Sequence, residues 1–103
     1  MKVYLCDRDP SFIDTVQFYH DLKGVVEPAA RLEDADVYVV LSGQYLMAGY
    51  KTVIEEEIDR AKRLGKPIYV LSPHGSAYIP VALRGVADRH ADFVKDAIEA
   101  LFR

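Results

Sequence analysis

The chain alternates between short, nearly continuous apolar runs and longer stretches with helical periodicity. The first run, residues 2–6 (KVYLC), is partly β-branched and stops at Asp7, Arg8 and Asp9, which reads as a buried strand. Asp9 and Pro10 then give an N-cap followed by proline at the first helical position. Phe12, Ile13, Val16 and Phe18 or Tyr19 recur at helical spacing as far as Leu22, and Gly24 supplies the stop. Val25 and Val26 fit a brief second strand, and residues 28–33 fit either one helical turn or a connection. The run 35–41 (ADVYVVL) is the clearest strand, and its lack of alternation predicts burial on both faces. Thr52 and Glu55 have capping-box spacing, so a helix is predicted over 53–64, with Gly65 as its C-cap. Lys66 and Pro67 open a further strand over 68–71 (IYVL). Beyond it, residues 80–83 fit a short helix, 86–88 an edge strand, and 91–102 a final helix with Val94, Ala97, Ile98 and Leu101 inward.

Strands alternating with helices at this spacing imply right-handed βαβ crossovers and a parallel sheet covered on both faces. The expected fold is therefore α/β, a three-layer flavodoxin-like or Rossmann-like domain with a four- to five-stranded parallel sheet and 37–41 at its centre. At 103 residues the chain fits one domain. No repeat or low-complexity stretch interrupts it.

Composition narrows the partners. Half the residues are apolar and 28% are charged, as in ordinary globular proteins. Thirteen basic against sixteen acidic residues leave a net charge of -3, the wrong sign for recruiting phosphate backbones, so nucleic acid is not expected as a main partner. The longest apolar run is far short of the roughly 20 residues that cross a bilayer. The lone Cys6 cannot form an internal disulfide, which agrees with a cytoplasmic location. His20, His74 and His90 are too dispersed to suggest a metal site, and no Gly-rich dinucleotide or P-loop pattern occurs.

In such a sheet, ligands bind beyond the carboxyl ends of the strands. Those positions hold Asp7, Arg8 and Asp9 after the first strand, and Ser42, Gly43, Gln44 and Tyr45 after the 37–41 strand. Ser72, His74 and Gly75 follow the 68–71 strand. Polar turn chemistry alone also accounts for such residues. Glu57 is more telling. At 100° per residue it falls near the middle of the sector holding Val53, Ile54, Ile58, Ala61 and Leu64, whereas Glu55 and Glu56 point to solvent. A carboxylate on a core-facing stripe must find a partner, such as Arg8 or Arg60, or line a cavity. In a cleft it could orient a sugar hydroxyl and stabilise oxocarbenium-like charge.

The segments ADVYVVLSGQYL, EEEIDRAKRLGKPIYVL and SPHGSAYIP, together spanning residues 35–83 or about half the chain, resemble the TIR-like family, in particular the short Thoeris type. The resemblance implies that Glu57, within Glu57-Ile58-Asp59-Arg60-Ala61, matches the glutamate that in active members helps break the nicotinamide N-ribosyl bond of NAD. NAD would then be a substrate, with no separate cofactor, and Asp7, Arg8, Ser42, Gly43, Tyr45, Ser72 and His74 would line its site. Lys2-Val3-Tyr4-Leu5 together with LGKPIYVL also resembles nucleoside deoxyribosyltransferases, which use a helix glutamate on an N-glycosidic bond. Cys6-Asp7-Arg8-Asp9-Pro10 is similar to the acidic start of response-regulator receivers, but the 37–41 strand ends in Val40, Leu41 and Ser42 without a phosphoryl-accepting Asp. A non-catalytic TIR-like or receiver-like interaction module is the alternative from another class. The uncharged stretch 44–50 (QYLMAGY) adds a candidate homo-oligomer contact through Tyr45, Leu46, Met47 and Tyr50, unless it folds back on its own core.

Overall fold

A computed structural model of the chain describes residues 1–5, 18, 20, 22–42, 50–72, 83, 85–92 and 95–102. Its frame is a five-stranded sheet in the order β2-β1-β3-β4-β5, with every neighbouring pair parallel. The strands are β1 (Lys2–Leu5), β2 (Glu27–Pro28), β3 (Val37–Leu41), β4 (Ile68–Ser72) and β5 (Arg89–Asp92). Helix α1 (Lys51–Arg63) joins β3 to β4, and α2 (Lys95–Phe102) follows β5. This 2-1-3-4-5 order is the flavodoxin-like one expected from the alternation of elements.

β3 is central, and each of its five residues is buried. Continuous apolar sequence is what a strand covered on both faces requires. The pairings Tyr4↔Tyr38 and Tyr38↔Ile68 put those residues on one face, while Val39↔Tyr69 belongs to the other. The Tyr4 and Tyr38 rings accordingly meet at 5.9 Å. On the opposite face, Phe102 of α2 lies 5.5 Å from Tyr69 and 5.7 Å from Phe18. Phe18 belongs to the connection from β1 to β2, which runs along the sheet in the opposite sense to that from β3 to β4. With both crossovers right-handed, α1 therefore covers the Tyr38 face.

Three boundaries depart from expectation. β2 forms at Glu27–Pro28 and not at Val25–Val26, because Glu27 N donates to the Met1 carbonyl and Ala29 N to that of Val3, each at 2.8 Å. Pro28 suits an edge, where a missing donor is harmless. Residues 28–33 resolve into a short 3-10 turn at Leu32–Asp34. The last strand is Arg89–Asp92, not 86–88, and the final helix starts at Lys95, later than the expected 91. The 91–102 pattern thus divides between a strand and a helix, with Leu101 and Phe102 carrying the buried end of α2.

Helix α1 runs close to its predicted span, but its start is different. Tyr50 occupies the N-cap position without a side-chain cap, so Thr52 and Glu55 lie inside the helix and form no capping box. Its end follows expectation: Gly65 takes φ +71°, Lys66 N donates to the Ala61 carbonyl and Gly65 N to that of Lys62. That is the Schellman arrangement, which places glycine in the left-handed region. Ile54, Ile58 and Ala61 are the buried residues of α1. Leu64, expected in the same stripe, is 42% exposed because it lies at the turn beyond the last helical residue.

Candidate functional site

The carboxyl ends of the central strands carry two serines. Leu41 pairs with Leu71, and Ser42 and Ser72 are the next residue on each strand's path. Both are buried, a setting in which hydroxyl groups are normally hydrogen-bonded. The Ser42 Oγ has no hydrogen-bond partner among the described residues. Ser72 alternates with Val70 and Ile68 and so lies on the α1 face of the sheet, in register with Asp92 of β5.

Glu57 is carried by α1, the helix that follows β3. It is half-buried between Ile54 and Ile58, and its Oε1 is shielded from solvent, while Glu55 and Glu56 are exposed. The inward stripe is centred on Ile54, Ile58 and Ala61, so Glu57 stands at its border and not, as the wheel suggested, at its middle. It belongs to the second turn of a helix whose first residues lie at the carboxyl-end side of β3. Arg60, one of the two cations the sequence offers to Glu57, instead pairs with Glu33 of the 3-10 turn. Arg31 stands beside the same turn, with its Nε 3.2 Å from Asp34 and 3.9 Å from Glu33. This cluster fastens the β2–β3 connection to α1. The hydroxyl of Tyr38, in mid-sheet on the same face, is buried as well.

Of the residues expected to line a site, Ser42 and Ser72 are buried at the ends of neighbouring strands, and Glu57 is half-buried on α1. Asp7, Arg8, Gly43, Tyr45 and His74 lie outside the described residues, as do Leu46 and Met47. Tyr50 is half-buried and packed against the core. Tyr38 was not singled out from sequence, because an aromatic in an apolar strand carries no sign of a polar role. Among the described residues no cluster of His, Cys, Asp and Glu could hold a metal ion. None of their helices is long and apolar enough to cross a membrane.

A cleft of about 370 Å³ opens at the other end of the sheet, among Lys62, Lys66, Pro67, Val86 and Asp88. It lies where β4 begins, at the amino end of the strands. Open α/β sheets bind ligands at the opposite end, and Asp88 is already engaged in joining two strands, so the serines and Glu57 remain the better candidate site.

No protein-family profile matches the sequence, and no curated protein does. Among solved structures, the chain is similar to the CMP N-glycosidase BcmB of Clostridium botulinum, with a TM-score of 0.60 and 15% identity over 98% of each chain. At that identity the likeness speaks to the fold: both chains have the same α/β architecture along nearly their whole length.

Proposed function

We propose that this protein breaks the N-ribosyl bond of a nucleotide, with Glu57 as the carboxylate that acts at the sugar. The observation that carries the reading is the half-burial of Glu57, whose Oε1 is shielded from solvent, in the second turn of the helix that follows the central strand, at whose carboxyl end such folds bind ligands. A carboxylate held there can stabilise positive charge as the bond from C1′ to the base nitrogen lengthens. The bonding electron pair leaves with the base, and water adds its hydroxide to C1′ while its remaining proton passes to the carboxylate or to solvent. A nicotinamide departs neutral on taking that pair, whereas cytosine must also receive a proton.

Two lines support the bond type. The TIR-like segments suggest NAD as the substrate, and the deoxyribosyltransferase-like segments suggest the same kind of bond in a nucleoside. The structural neighbour carries the name of a CMP N-glycosidase.

The test is to incubate purified protein separately with NAD, CMP and deoxynucleosides and to follow free base by chromatography. Release of nicotinamide is expected, falling at least 100-fold in Glu57→Gln. A folded protein that releases base from none of the three would leave the non-catalytic interaction module as the better reading.

A further inference from the structure

One buried polar side chain at the end of the central strand is left without a structural role. Ser42 is fully buried, yet its hydroxyl meets no hydrogen-bond partner among the described residues. Leaving a buried hydroxyl unsatisfied costs about 1–3 kcal/mol, and such groups in folded proteins call for an explanation. Core packing does not supply one, since alanine would fill nearly the same space without that cost. Position does. Ser42 is the first residue past the central strand, beside Ser72, at the end of the sheet where ligands of this architecture sit.

We infer that Ser42 is a ligand-binding residue whose hydroxyl pairs with the 2′-hydroxyl of the substrate's ribose, so that the site selects ribonucleotides over 2′-deoxyribonucleotides. This deepens, and rests on, the reading of Glu57 as the carboxylate acting at C1′. The chemistry fits at two points. A serine hydroxyl both donates and accepts, as a sugar hydroxyl does, whereas a phosphate would call for cationic donors. The 2′-hydroxyl is carried by the carbon next to C1′, so a carboxylate working at C1′ brings that hydroxyl into the same layer between β3 and α1. A site built to pair a substrate hydroxyl rejects the analogue lacking it, because its own polar group is then left unpaired.

The experiment uses Glu57→Gln, which keeps the ligand intact, with and without Ser42→Ala. Binding of NAD, CMP and 2′-deoxy-CMP is measured by calorimetry, and thermal unfolding is followed without ligand. Expected is a roughly five- to fifty-fold weaker Kd for NAD or CMP on adding Ser42→Ala, with less than a twofold change for 2′-deoxy-CMP. The unliganded Ser42→Ala protein should unfold no lower than its parent, because a structural hydrogen bond is not being lost. Equal weakening for CMP and 2′-deoxy-CMP, no weakening, no binding of any of the three, or a lowered unfolding temperature without ligand would each overturn the assignment. Base release by the wild-type chain is scored separately. Ribose-selective binding that depends on Ser42 without any base release would sink the glycosidic reading and leave this one standing.

Discussion

Asp88 holds Ile68 at two points. Its backbone N donates to the Ile68 carbonyl at 2.8 Å, and its carboxylate Oδ2 accepts the Ile68 N–H at 2.7 Å. Asp36 does the same for Lys2: its backbone N donates to the Lys2 carbonyl and its Oδ2 accepts the Lys2 N–H, both at 2.8 Å. Each aspartate immediately precedes a strand and grips the first residue of the neighbouring one, so each fixes where a parallel ladder begins. The two clasps differ in solvent access, that of Asp88 being partly buried and that of Asp36 exposed.

That difference is measurable. Asp88→Ala would leave a shielded amide without its partner and should lower stability by about 1–3 kcal/mol, whereas Asp36→Ala, whose amide can turn to water, should cost less than about 1 kcal/mol. Asp88→Asn keeps an acceptor oxygen and should fall between wild type and alanine. Urea unfolding midpoints compare the three, and an Asp36 variant less stable than Asp88→Ala would contradict the burial argument.

The inward stripe of α1 is a second case. Ile58→Ala removes a buried side chain and should cost about 2–5 kcal/mol, while Leu64→Ala, at a largely solvated position, should cost no more than about 0.5 kcal/mol. Similar losses from both would restore Leu64 to the core stripe that the helical wheel assigns it.

Gly65 isolates backbone from packing. A Cβ built there meets no atom within 4 Å, so Gly65→Ala tests the left-handed φ of +71° alone. A loss of about 1 kcal/mol is expected, with Gly65→Asn less costly because asparagine tolerates that region better. Unchanged stability in Gly65→Ala would mean that the helix end can relax into another cap.

Of the three consecutive glutamates of α1, Glu55 and Glu56 are exposed and Glu57 is half-buried. Glu57→Gln should abolish base release with an unchanged circular dichroism spectrum, whereas Glu55→Gln and Glu56→Gln should stay within about twofold of wild type. Loss of activity in all three alike would point to the charge of the helix and not to one positioned carboxylate.

Much of this arrangement is legible along the chain, for a reason that is local. The run VYVVL has no polar alternation and must be covered on both faces wherever it lies, so its span and its central place follow from composition alone. Gly65 and the periodicity of 54, 58 and 61 likewise mark the end and inner face of α1 by short-range rules. Angular arithmetic sets Glu57 apart from Glu55 and Glu56 but places it too near the middle of the stripe, and the serines at the strand ends follow from where the apolar runs stop. β5 is the opposite case. Its sequence RHAD has neither β-branched residues nor an apolar face, and it becomes a strand because Asp88 clasps Ile68 and β4 offers a free edge. The start of α1 is decided in the same way, by where the chain leaves the sheet and not by the Thr52–Glu55 spacing. Nor could sequence tell that Arg60 is engaged by Glu33 or that the Ser42 hydroxyl is enclosed without a partner. Periodicity and cap residues act over a turn or two of chain, and a sequence carries them openly. Pairing across a sheet and the partner of a buried polar atom join residues tens of positions apart, and only the packed tertiary structure brings them together.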